Sequence, residues 1–113
     1  MGEHITIKPA TGTYVMRAGG AVLGETTRAL ELIEGSYPPV IYIPREDIAM
    51  AFLDASDTTS SCPHKGQASY YNIEAKSGTI ADAAWSYETP KDTVADIAGH
   101  LAFYSNKVTV EQV

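Results

Sequence analysis

The chain has 113 residues, 44% of them hydrophobic, with a net charge of −6 and one cysteine. That length supports a single domain over 1–113, able to bury about two-thirds of the surface its unfolded chain exposes. One cysteine excludes an internal disulfide, scattered Lys and Arg exclude sequence-independent nucleic-acid binding, and no apolar run is long enough to span a bilayer.

The start Met1-Gly2-Glu3-His4-Ile5 lacks the charged and apolar regions of a signal peptide. A cytosolic location without membrane or nucleic-acid partners is therefore expected. The acidic excess reads most simply as a solubility feature.

His4 to Lys8 alternates apolar and polar residues before Pro9 and predicts a short strand at a sheet edge. Tyr14 to Arg17 and Ala21 to Leu23 flank Gly19-Gly20, a hairpin signal because both turn positions tolerate positive φ. Ala29 to Glu34 is compatible with helix or strand; six residues closed by Gly35 make a poor isolated helix and an ordinary strand. Val40 to Ile43 is a β-branched run ended by Pro44. Pro44 followed by Arg45-Glu46-Asp47 predicts the start of the one short helix, near 45–54, with Ile48 and Phe52 on one face.

The segment Thr58 to Tyr71 holds the densest chemistry. Cys62, His64 and Lys65 lie within four positions, and Pro63 and Gly66 shape the backbone into a turn that feeds a strand from about Gln67. Ser77-Gly78 predicts the turn of a hairpin between Ala68 to Ile73 and Thr79 to Tyr87. Val94 to Ile97 suits one helical turn. Leu101 to Tyr104 and Val108 to Val110 predict a last hairpin across Ser105-Asn106. About eight short strands and one helix give a mainly β fold, a single-domain antiparallel and partly closed sheet.

Several segments together resemble the bacterial domain of unknown function 427, a family also catalogued as nucleotidyltransferase-like. They are Thr26 to Leu30 after the Gly-Gly hairpin, Tyr37 to Asp47, Thr59 with Cys62 to Gly66, Ala68, Tyr70-Tyr71, Ala84 to Tyr87, Pro90, and Ile97 to Tyr104. The resemblance covers nearly the whole chain and implies a compact β-tent domain, similar in outline to methionine-sulfoxide-reductase-B-like proteins. It implies no agreed activity. Many β-tent relatives clamp zinc with paired C-x-x-C knuckles, and Cys62 alone does not supply them. The transferase label implies closely spaced metal-binding carboxylates, a context that neither Asp54 with Asp57 nor Asp82 provides.

Cys62 and Lys65 are the candidate catalytic residues, because a cation and turn amides beside a thiol favour the thiolate; the alternative is a small packed residue beside a lysine that pairs with a surface carboxylate. His64, Gly66, Tyr70, Trp85, Tyr87 and Arg45 are the candidate ligand-binding residues, with the aromatic rings as a pocket wall or as ordinary sheet core. No phosphate-loop pattern or serine elbow is present, the three histidines share no metal spacing, and neither a metal nor another cofactor is expected. The leading expectation is a pocket beside Cys62 to Gly66 for a small anionic ligand, with thiol chemistry as an option. The competing one is an interaction module that forms a homodimer through exposed strand edges.

Overall fold

The computed structural model describes residues 4–113, and His4 begins it as an exposed residue. The strands are β1 (Ile5–Pro9), β2 (Tyr14–Ala18), β3 (Ala21–Thr26), β4 (Leu30–Glu34), β5 (Val40–Tyr42), β6 (Leu53–Cys62), β7 (Gly66–Ala75), β8 (Gly78–Ser86), β9 (Leu101–Phe103) and β10 (Thr109–Gln112). They form three antiparallel sheets, ordered β1-β4-β5, β10-β2-β3 and β6-β7-β8-β9. The mainly β, antiparallel expectation holds, and among the described residues no sheet closes into a barrel.

Among the described residues β1 is an edge strand beside β4, as its alternation and terminal Pro9 imply. The β2–β3 hairpin turns at Gly19 and Gly20, with φ of 55° and 80°, where a Cβ would be disfavoured. An isolated bridge from Ile43 to Leu101 ties the end of β5 to β9, and another from Gly24 ties β3 to Ile48. One apolar cluster gathers Met16, Leu23, Ile43, Ile73 and Leu101; a second gathers Leu32, Tyr42, Ala68, Tyr87, Val94, Ile97 and Ala102. The second cluster lies behind the candidate site.

The helix expected near 45–54 is instead two single 3-10 turns, Arg45–Asp47 and Met50–Phe52. Ile48 is extended between them and bridges Gly24, while the Ala49 N–H donates to the Leu23 carbonyl at 2.7 Å. Tertiary pairing takes the backbone groups that an α-helix would need for itself. Residues 53–62, expected to begin as the helix end, form the ten-residue β6.

The expected last hairpin also differs. A turn does form, with Val108 N–H donating to Tyr104 O at 2.9 Å, but β9 pairs with β8 and β10 pairs with β2. All three β9 residues are buried, whereas β10 is half-buried at most, so the two strands serve different sheets. Val94 to Ile97 lies in a short 3-10 segment, Asp92–Ile97, consistent with the expected helical turn.

Candidate ligand pocket

The Cys62 to Gly66 segment is the tip of the β6–β7 hairpin. Cys62 faces Gly66 across the ladder, the Lys65 N–H closes the turn on the Cys62 carbonyl at 3.2 Å, and Gly66 takes φ of 114°, which side chains rarely adopt. The Lys65 carbonyl accepts from the Lys91 N–H at 2.9 Å, which fastens the tip to the loop after β8.

This geometry turns Lys65 inward. Its Nζ donates to Glu34 Oε1 at 2.8 Å and lies 3.5 Å from Cys62 Sγ. The Lys65 and Glu34 side chains are only 12% and 15% exposed. Burial opposes the Lys65 charge, but the Glu34 hydrogen bond and charge interactions with Cys62, Tyr87 and Glu34 outweigh it and hold the ammonium pKa above its ordinary value. Lys65 is therefore a cation whose charge is already balanced. The surface ion pair weighed from sequence is in fact a withdrawn one.

Both side chains open into a hollow of about 230 Å³, also lined by Leu32, Tyr37, Pro38, Val40, Tyr42, Tyr70, Trp85, Tyr87 and Tyr104. Strand alternation explains the lining. Trp85 and Tyr87 are two apart, and Trp85 lies opposite Tyr70 on β7 and Ala102 on β9, so Tyr104 follows on the same face. Tyr104 and Trp85 have ring centroids 4.6 Å apart, Tyr70 stacks on Tyr104 at 6.5 Å, and Tyr42 meets Trp85 edge-on. The Trp85 Nε1–H donates to Tyr42 OH at 3.3 Å, and Tyr70 OH shares a 2.8 Å hydrogen bond with Ser60 Oγ.

Burial pushes the Tyr42 phenol up to about 12 and raises that of Tyr87; Tyr104 is also raised, to about 12, by burial and by Tyr70. All three are neutral donors at physiological pH. An outer groove of about 660 Å³ shares Tyr37, Pro38, Val40, Trp85 and Tyr104 with the hollow and continues along Ile41, Phe103 and Val110.

Of the residues singled out from sequence, Lys65, Tyr70, Trp85 and Tyr87 thus meet in one hollow. Cys62 is half-buried and packs against the second apolar cluster behind Lys65. His64 and Gly66 belong to the turn, outside the lining. Arg45 stands elsewhere: it donates to Glu88 at 2.8 and 2.9 Å, to Tyr71 OH at 3.2 Å and to the Gly99 carbonyl at 3.1 Å. Tyr71 OH also donates to Glu88 at 2.6 Å, so this network is closed on itself. Among the described residues no three His, Cys, Asp or Glu side chains are placed to hold a metal ion, and no helix is long and apolar enough to cross a membrane.

Sequence reasoning missed Glu34 and the Tyr37-Pro38 wall. A signal for Glu34 was present: Leu30, Leu32 and Glu34 share one face of β4, so an apolar face ends in a carboxylate.

The family model NTP_transf_9, described as a domain of unknown function (DUF427), matches residues 6–113. No curated protein matches the chain.

Proposed function

The chain belongs to the DUF427 family, and because that description carries no activity we propose a function from the pocket itself: the domain binds a small molecule whose apolar body packs on Trp85 and Tyr104 and whose polar end reaches Lys65. One observation carries this reading. A withdrawn Lys65–Glu34 pair opens into an aromatic-lined hollow instead of being covered by side chains. Concave, mostly apolar sites with a few converging polar groups are the usual form of small-molecule sites. Cys62 supports Lys65 from behind in this reading and does not react with the ligand.

A thermal-shift screen of aromatic and heteroaromatic compounds tests the reading. A ligand at ten times its Kd stabilises by about 1.4 kcal/mol, roughly 5 °C for a domain of this size. The shift is expected in the parent protein and strongly reduced in Tyr37→Ser, which alters an exposed wall residue at little cost to folding. Hits that shift both proteins equally would place binding outside the pocket and contradict the proposal, as would a screen without hits.

β6 favours a second reading, self-association through a strand edge, because it is long, largely exposed and, among the described residues, at the edge of its sheet beside β7. Light scattering across a wide concentration range tests it: a concentration-dependent dimer supports it, and a monomer throughout removes it.

A further inference from the structure

The Lys65–Glu34 pair narrows the kind of ligand. Its net charge is zero, and both partners are largely withdrawn from water. A bound anion would bring a second negative charge beside Glu34, and a bound cation a second positive charge beside Lys65, in surroundings that screen like charges poorly. The pair instead offers one acceptor and one donor. Lys65 spends one N–H on Glu34 Oε1 and turns another toward Cys62 Sγ, which leaves a third; among the described residues no donor meets Glu34 Oε2.

Shape narrows it further. The Trp85 and Tyr104 rings line the hollow tilted at 49° to each other, Tyr70 stacks on Tyr104, and Tyr37, 64% exposed, completes the aromatic lining. A cavity of about 150 Å³ accommodates benzene, so the hollow of about 230 Å³ suits one or two fused rings. The outer groove leaves room for a substituent.

Resting on the pocket being a ligand site, we propose that its ligand is an uncharged, flat one- or two-ring compound with a lactam edge, whose carbonyl oxygen accepts from Lys65 and whose ring N–H donates to Glu34. Among the described residues, three other carboxylates already have their partners. Asp47 is taken up by Thr26 and Arg28, Asp82 by Ser56 and Thr58, and Glu88 by Arg45 and Tyr71.

The test uses three probes of similar outline: isoquinolin-1(2H)-one, its N-methyl derivative, and 1-naphthoate. Binding is read from the indole N–H resonance of Trp85, the chain's single tryptophan. The lactam is expected to bind tightest. Its N-methyl derivative should be roughly tenfold weaker, the size of one hydrogen bond to a charged acceptor, and 1-naphthoate weaker still. In Glu34→Gln, which frees the Lys65 charge, 1-naphthoate should gain roughly tenfold. The parent protein alone decides the matter if that variant folds poorly. Equal binding of lactam and N-methyl lactam would overturn the inference. Tightest binding of 1-naphthoate in the parent protein would overturn it and leave the pocket reading standing; three silent titrations would overturn both.

Discussion

Lys65 and Glu34, 31 residues apart in the chain, meet at 2.8 Å with both side chains mostly withdrawn from water. The contact joins the tip of the β6–β7 hairpin to the end of β4, so it bridges two sheets as well as furnishing the polar end of the pocket. Removing one partner strands the other. Lys65→Met is expected to destabilise the fold by about 2–4 kcal/mol, and Lys65→Met with Glu34→Leu to recover most of that loss. Urea midpoints measure both; a double variant no more stable than the single one would show that the charge pair is not the cause.

The tyrosines and Lys65 make stability sensitive to alkali. Tyr42, Tyr87, Tyr104 and Tyr71 are all raised above the ordinary phenol value, chiefly by burial, and Lys65 is raised by Glu34 against an opposing burial effect. Raised groups keep their protons in the folded state while the unfolded chain loses them. Their contribution is therefore complete below about pH 10 and is lost as pH rises through the folded values. Tyr42, held up to about 12, accounts for on the order of 2 kcal/mol of that loss. Urea midpoints should be level from about pH 8 to 9.5 and then fall, with a shallower fall in Tyr42→Phe. An unchanged slope in that variant would contradict the assignment.

Arg45 belongs to the framework. Its hydrogen bonds reach Glu88, Tyr71 and Gly99, and so hold the first 3-10 turn to β7 and to the segments after β8. Arg45→Met is expected to cost about 1–3 kcal/mol of stability, moderated by the partial exposure of the ion pair. Ligand titrations followed at Trp85 should be unchanged. A variant with normal stability and lost binding would return Arg45 to the site.

Gly24 is needed for steric reasons. A Cβ there would run into the Asp47 carbonyl, where β3 bridges Ile48. Gly24→Ala should destabilise by about 1–3 kcal/mol through overpacking, while Gly78→Ala, with no neighbour to meet, pays only for its positive φ and should cost less. Thermal midpoints compare the two directly, and the reverse order would contradict the packing argument.

The strands that alternate or carry β-branched runs were legible, as was the Gly19-Gly20 turn, because local preference and burial agree there. β6 was not. Asp54 to Ser61 is polar, mostly exposed and defined by its pairing with β7, which leaves almost no hydrophobic signature. The segment 45–54 misled for the opposite reason: Pro44 and the acidic residues look locally like a helix start, and contacts with Leu23 and Gly24 override them. In the site, Lys65 and the rings of β7 and β8 could be picked out as chemistry close in sequence. Glu34 required the β4 face to be followed to its end, and Glu88, the carboxylate that pairs with Arg45, lies 43 residues away.

The most direct measurement is a crystal structure of the protein soaked with isoquinolin-1(2H)-one. Density for a flat ring against Trp85 and Tyr104, with its polar edge within hydrogen-bond distance of Lys65 and Glu34, is the predicted result. An empty hollow with the compound held elsewhere on the surface would contradict the account.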